Sequence, residues 1–407
     1  MVISAATGYG GRQADVMRLH FDNGARRVVR GGFCAWFNER LEAIVAKLAQ
    51  GALAFARAQP VDLPPLLARH AKDWHIVDSS TIKLDDELAG AFPGTGDYAA
   101  LKVHKRFSVG VGTTVDYHLS PAREHDAPHL TIDESWRGLG LLVDLGYASH
   151  KLIGDCEAHD VRFVMRLKES WKPKVERLAR GDVTRLFLRG TDLDLLLEDK
   201  TLLLLGHVVD AQVTLGPSGR AVQCRLVGVP MPDDSYRFYL TNLPAEVGPH
   251  QVADVYRVRW EIESDNKLDK SCNHIDSVCA QTAHAARALV HASLISSMLA
   301  CLVAHRHRLK EARPRRAGQE RTQPPIHPQA LARAMGVAAP KITAALALDG
   351  DQARKEWQAI AEYLQHLGQD PNWRRSPSIL DQMRGWKVTP GRPRRSKLVS
   401  PTTRSAK

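Results

Sequence analysis

The sequence predicts a mixed α/β fold: a mixed sheet flanked by helices, interrupted by a β-rich insertion, with helical N- and C-terminal regions. Three observations carry this. Residues 74–121 hold three successive strand-type segments, residues 129–168 alternate helix and strand, and residues 245–310 keep an almost unbroken helical pattern. With 407 residues, the chain is long enough for two or three domains and a large core.

In chain order, 33–58 (FCAWFNERLEAIVAKLAQGALAFARA) spaces its apolar residues as a helix does, and the prolines of 60–65 end the pattern. The period then drops to that of strands in WHIVDSSTIKL, LKVHKRFSVGVG and TTVDYHLSP, with Gly110 and Gly112 marking the second turn. Next come a helix at 132–138, a short apolar strand LGLLVD, a helix at 149–157 and the strand VRFVMRL. RLFLRG, TLLLLGHVVDAQVTL, AVQCRLVGV and YRFYLTNL make the β-rich block, followed by helical segments through about Arg308 and shorter helices near 329–335 and 351–367. The expected organisation is 1–70, a helical region suited to DNA binding; 71–168, the first part of the core; 169–244, the β-rich insertion; 245–310, the second part of the core; and 311–407, a basic helical region.

Composition excludes several classes. Hydrophobic residues at 44% and charged residues at 25% argue against a disordered or a membrane protein. The longest apolar stretch, 285–303, is interrupted by Arg287, His291 and serines and reads as a buried helix rather than a span. The N-terminus has no charged-then-apolar leader, so a cytoplasmic protein is expected. The six cysteines lack disulfide spacing and read as thiols. Cys272, His274 and Cys279 cluster, but no second pair completes a tetrahedron, so zinc is not expected there.

Charge is unevenly placed. From His305 onward there are 21 basic and 8 acidic residues, a net +13, against −2 for the first 304. A near-neutral body with a basic last quarter suggests a partner rich in phosphate, nucleic acid above all. Arg313, Arg315 and Arg316, or Arg392, Arg394, Arg395 and Lys397, could equally be a solvated tail.

Two carboxylates stand where strand chemistry exposes them: Asp78 inside the apolar strand IVDSSTIKL, and Asp144 closing LLVD. Such groups need a partner or a cation, although an edge strand or a turn would also accommodate them. A third element decides between these readings. In YRVRWEIESDNKLDK, Tyr256, Arg259, Glu263 and Lys270 are spaced by three, four and seven, which on one helix returns them to nearly one face.

Residues 256–270 fit YxxRxxxExxxxxxK, and this resembles the YREK signature of bacterial DDE transposases of insertion sequence family four. DSSTIKL, KVHKRFSVGV, LSPAREHD, VDLGY, FVMRLK and YLTNLP follow in the same order, over about residues 30–305. The resemblance implies a ribonuclease H-like catalytic core and Asp78, Asp144 and Glu263 as catalytic metal ligands. It implies Mg²⁺, with Mn²⁺ able to substitute and two ions expected. It further implies that Arg259 and Lys270 hold DNA phosphates, that Tyr256 orients a phosphate by a hydrogen bond, and that Trp171 of the insertion stacks on a displaced base. Trp260 is expected in the core. His104 and His125 are expected to be structural or phosphate-adjacent.

This sequence departs from the family in having Ser264, Asp265 and Asn266 in place of an aromatic pair, which would bring negative charge near the metal. The region before Asp78 is short for a full end-recognition domain. The function implied is cut-and-paste transposition: cleavage and strand transfer at the terminal inverted repeats of an insertion sequence and into target DNA, by a homodimer in the DNA complex. The alternatives are a metal-dependent nuclease or recombination enzyme on the same fold, and a non-catalytic DNA-binding descendant.

Overall fold

The computed structural model describes residues 13–22, 27–178, 208–216, 221–233, 235–311, 313–314, 316, 318–374 and 378–387. RLFLRG, Phe187, most of TLLLLGHVV, Arg315 and the basic run from Arg392 lie outside them. The helices are α1 (Gln13–Asp22), α2 (Arg30–Cys34), α3 (Glu39–Arg57), α4 (Pro65–Ala68), α5 (His150–Ala158), α6 (Pro249–Arg257), α7 (Trp260–Asn273), α8 (Ala283–Lys310), α9 (Pro328–Ala345), α10 (Gly350–Leu367) and α11 (Ile379–Met383).

The strands are β1 (Trp74–Lys83), β2 (Ala100–Ser108), β3 (Thr113–Pro121), β4 (Gly140–Val143), β5 (Arg162–Arg166), β6 (Lys174–Leu178), β7 (Val209–Leu215), β8 (Val222–Pro230) and β9 (Tyr236–Thr241), with a separate short pair, β10 (Gln319–Glu320) and β11 (Trp386–Lys387). The first nine form one sheet in the order β3-β2-β1-β4-β5-β9-β8-β7-β6. β1 to β3 are antiparallel, while β4 and β5 run parallel to β1. That start, three antiparallel strands and then two parallel ones, is the ribonuclease H-like arrangement. The β-rich block does not make a sheet of its own, because β9 pairs directly with β5 and its neighbours extend the same sheet outward.

Period-2 alternation assigns the two faces. Ile76, Leu142 and Val164 pack in one cluster with Val252, Val255 and Ile262, under α6 and α7. Val77, Leu141, Val143, Phe163 and Met165 point the other way, into a cluster with Leu152, Ile153 and Cys156 of α5. A third cluster joins β2 and β3 to α3 and α8. α8 is long and apolar enough by composition to cross a membrane, yet 78% of its apolar window is buried. Most of its apolar residues are core residues here, Val303 and Leu309 near its end being exposed.

Some expectations fail locally. The helix expected at 132–138 is a single 3₁₀ turn, Glu134–Trp136, because Asp133 caps it through Ser135 N at 2.9 Å and Gly138, at φ 76°, stops it. Trp260 is 58% exposed rather than core, with the Lys267 ammonium 5.4 Å from its ring. Part of the C-terminal basic surplus is neutralised internally. Arg308, Arg313 and Arg384 approach Asp62 at 3.5, 2.9 and 3.3 Å, and Arg321 bridges Glu311 and Asp381.

β4 reaches β1 closely because Gly140 faces Trp74: a Cβ there would sit 2.3 Å from the indole. Gly140→Ala is expected to destabilise the fold by about 1–3 kcal/mol through overpacking, read as a lower urea midpoint with an unchanged slope.

Candidate active site

The parallel register pairs Val77 with Val143, so the next residues, Asp78 and Asp144, leave adjacent strands side by side. By alternation both continue the face of Ile76 and Leu142, the face covered by α6 and α7. Glu263 comes to them from α7. Its Oε1 accepts from Arg259 Nη1 at 3.3 Å. Asp78 is held from two sides: Oδ1 accepts from the Ser79 amide at 2.9 Å, and Oδ2 from Asn266 Nδ2 at 3.2 Å.

Burial, with the negative charges of Glu263 and Asp144 adding to it, pushes the Asp78 carboxyl up to about 6; the Ser79 amide and Arg259 act in the opposite direction. Three carboxylates thus share a half-buried place with one guanidinium among them. An all-oxygen donor set of this kind fits a hard divalent cation, whose charge would offset the repulsion the burial creates.

The expected single helix is broken. α6 ends at Arg257 and α7 begins at Trp260; between them the amide of Arg259 donates to Tyr256 O at 2.9 Å and that of Glu261 to Val258 O at 2.9 Å. In such a tight turn, residues three apart eclipse. Tyr256 and Arg259 therefore still meet, with the guanidinium carbon 6.0 Å from the ring centroid. The Tyr256 ring packs on Tyr239 at 5.2 Å, its hydroxyl is buried without a hydrogen-bond partner, and burial pushes the phenol up to about 12. An unpaired buried donor beside three carboxylates would be satisfied by an incoming oxyanion.

Lys270 lies in the last turn of α7, two turns beyond Glu263 and half-buried. Trp171 follows the end of β5 and is half-buried against the cluster on the α5 face of the sheet, its ring 4.5 Å from that of His150.

Asp265, expected to bring negative charge near the metal, is turned into the protein interior together with Asp269. They enclose the ammonium of Lys105, which donates to Asp265 Oδ2 at 2.8 Å and to Asp269. Thr114 Oγ1 donates to Asp265 at 3.2 Å, and Ser297 Oγ to Asp269. All three charged side chains are at most 3% exposed. Lys105 is the cross-strand partner of Asp78, so this ion cluster seats α7 over the sheet beside that carboxylate. Lys105 and Asn266 were both missed from the sequence. The available signal was Lys105 at i±2 from Val103 and Phe107, which marks an inward-facing strand position.

On the opposite face, the Ser79 hydroxyl donates to Asp126 Oδ1 at 2.8 Å, and Asp126 also pairs with Lys102 at 3.0 Å. His104 is buried there and stacked on His118, whereas His125 is exposed.

Comparison with known proteins follows the same direction. A family profile described as "Transposase DDE domain" matches residues 70–299, more than half of the chain. The InsL transposases of insertion sequence elements IS186A and IS186B of Escherichia coli strain K12, and the transposase of element IS421 of Escherichia coli, are each 43% identical to it over 61 residues, 15% of this chain and 16% of theirs. The chain thus matches about a sixth of the length of those relatives. A cryo-EM structure of the piggyBac transposase synaptic complex with hairpin DNA aligns with a TM-score of 0.38 and 10% identity, over 75% of this chain and 62% of that one.

Lys105→Met, which leaves two buried carboxylates without their cation, is expected to cost about 3–5 kcal/mol of stability. Chemical denaturation measures this, and a loss below ~1 kcal/mol would mean the cluster is not the anchor described.

Proposed function

We propose, from the premise that this chain belongs to the transposase DDE domain family, that it catalyses DNA cleavage and strand transfer at the ends of an insertion sequence. The observation that carries this reading is the convergence of Asp78, Asp144 and Glu263 from β1, the end of β4 and α7 on one sheet face.

In this reading the three carboxylates are the metal ligands. Bound there, two Mg²⁺ ions, or Mn²⁺ in their place, would supply activation of a water or 3′-hydroxyl and neutralisation of charge at the leaving oxygen. Tyr256 donates its unpaired hydroxyl to a non-bridging phosphate oxygen, and Arg259 beside it supplies positive charge to the same phosphate. Lys270 holds a phosphate further along the strand. Trp171, past the end of β5, stacks on a base displaced from the duplex. Asn266 and the Ser79 amide keep the Asp78 carboxylate in a single orientation.

The substrates are the terminal inverted repeats of the element that encodes the chain and then target DNA, both double-stranded. Two copies act together as a homodimer, one at each end, in the bacterial cytoplasm where the nucleoid lies. The helical region before residue 70 and the basic region after 311 add DNA contacts around the core.

Fold and carboxylates do not fix the DNA target, so the test uses the element's own ends. Purified protein with Mg²⁺ is expected to excise a marked segment bounded by the gene's flanking sequences. Glu263→Gln and Asp144→Asn should bind the same DNA and cut it at least ~10²-fold more slowly. Tyr256→Phe should cost about 1.5–3 kcal/mol in the cleavage step, the worth of one hydrogen bond to a charged group. Equal cutting of unrelated DNA would replace transposition with a nuclease function. Binding without cutting would leave a non-catalytic DNA-binding protein.

A further inference from the structure

On the face of the sheet away from the three carboxylates, three histidines converge. His104 of β2 and His118 of β3 are cross-strand partners, and His129 ends the short 3₁₀ turn Ala127–His129 that passes beside them. One ring nitrogen of each lies within 4.8 Å of those of the other two. The centroids are 4.5 Å apart for His104 and His118, 4.0 Å for His104 and His129, and 4.6 Å for His118 and His129.

The hydrogen bonds around the cluster leave nitrogens pointing inward. His104 Nε2 is taken by Ser120 Oγ at 2.9 Å, while its buried Nδ1 has no hydrogen-bond partner. His129 Nε2 meets the Glu124 carboxylate at 3.0 Å, which leaves Nδ1 to face His118 Nε2 at 2.7 Å. An imidazole whose outer nitrogen is held by a carboxylate or a hydroxyl, with its inner nitrogen turned toward other imidazoles, is the arrangement of metal-binding histidines. A fourth donor, an oxygen, is at hand: Asp126 Oδ1 stands 3.8 Å from His104 Nδ1, too far for a hydrogen bond.

We propose that His104, His118 and His129 bind one transition-metal ion of the Zn²⁺ class, with Asp126 or water as the fourth ligand. Three imidazole nitrogens and one oxygen suit Zn²⁺, Co²⁺, Ni²⁺ or Cu²⁺ and not the Mg²⁺ that an all-oxygen set takes. Metal–nitrogen bonds of about 2.0–2.1 Å require the three rings to close together, and the stack of His118 on His104 to tilt. His118 is exposed and His129 half-buried at the protein surface, so both rings can make that adjustment. The ion would tie the β2–β3 hairpin to the segment carrying Asp126. Asp126 accepts from Ser79, the neighbour of Asp78, so the tie braces β1 from behind the proposed active site. This inference does not depend on the function proposed above.

The test is a titration of metal-stripped full-length protein with Co²⁺, followed by its visible d–d absorption, then displacement by Zn²⁺. Four proteins are compared: wild type, His118→Gln, His129→Gln, and the double variant Asp78→Asn/Glu263→Gln. Wild type and the double variant should each bind one Co²⁺ with the spectrum of a nitrogen-rich site. Each histidine variant should weaken that binding at least ~10-fold while keeping the wild-type circular dichroism. Zn²⁺ should raise the thermal midpoint of wild type and leave that of His129→Gln unchanged. Absence of Co²⁺ binding to wild type would overturn the proposal and leave the histidines as a packing stack. Binding that survives both histidine variants but is lost in the carboxylate variant would overturn it as well.

Discussion

The ammonium of Lys105 is enclosed by Asp265 and Asp269 of α7, and the whole geometry of the carboxylate face rests on that enclosure. Each of these charges is out of water, so each would be strongly unfavourable alone. Together, with Thr114 and Ser297 supplying further hydrogen bonds, they satisfy one another. Apolar packing of Ile262 and Leu268 brings α7 to the core, but such packing is non-directional and tolerates small rotations of a helix. A lysine fixed in strand register opposite Asp78 and bonded to two carboxylates one turn apart does not tolerate them. Rotation and translation of α7 are set together, and Asn266 reaches Asp78 while Glu263 comes within its electrostatic reach.

The same helix therefore carries two kinds of acid on different faces. Asp265 and Asp269 share the Lys105 ammonium, accept from Thr114 and Ser297, and are structural. Glu263 has only Arg259, at 3.3 Å, and it faces two more carboxylates. Two buried carboxylates that share an ammonium and accept hydroxyl hydrogen bonds lie next to a half-buried group of three with one guanidinium, and the second group is the one placed to attract a cation. The Tyr256 hydroxyl, buried without a partner, adds a place for an oxyanion beside it. Cation and phosphate are what phosphodiester chemistry brings together.

Much of this could be read in the sequence, for physical reasons. β1 to β5 are strand-type runs or alternations bounded by glycine or aspartate, so the strands and the exposed-looking positions of Asp78 and Asp144 were legible, while their pairing came from the family resemblance. Glu263 was legible from its register with Tyr256 and Arg259. The break between α6 and α7 was not, because residues 257–260 contain neither glycine nor proline to signal it. The pairing of Asp265 and Asp269 with Lys105 was not legible, since local pattern cannot show a lysine some 160 residues away. The three histidines escaped for a related reason: β-strand register and a loop, rather than spacing along one element, bring them together. Trp260 misled because an aromatic residue within an apolar helix pattern is ordinarily buried.

Asp78, Asp144 and Glu263 are proposed as a single cation-binding centre. Binding of Mn²⁺, followed by the loss of the free-ion electron paramagnetic resonance signal, tests it most directly when wild type is compared with Asp78→Asn, Asp144→Asn and Glu263→Gln, all in a His118→Gln background. All three substitutions are expected to weaken the same binding event, Glu263→Gln included, although its residue comes from a helix and the others from the sheet. Unchanged Mn²⁺ affinity in Glu263→Gln would contradict it, because α7 would then contribute nothing to the centre it is held in place to complete.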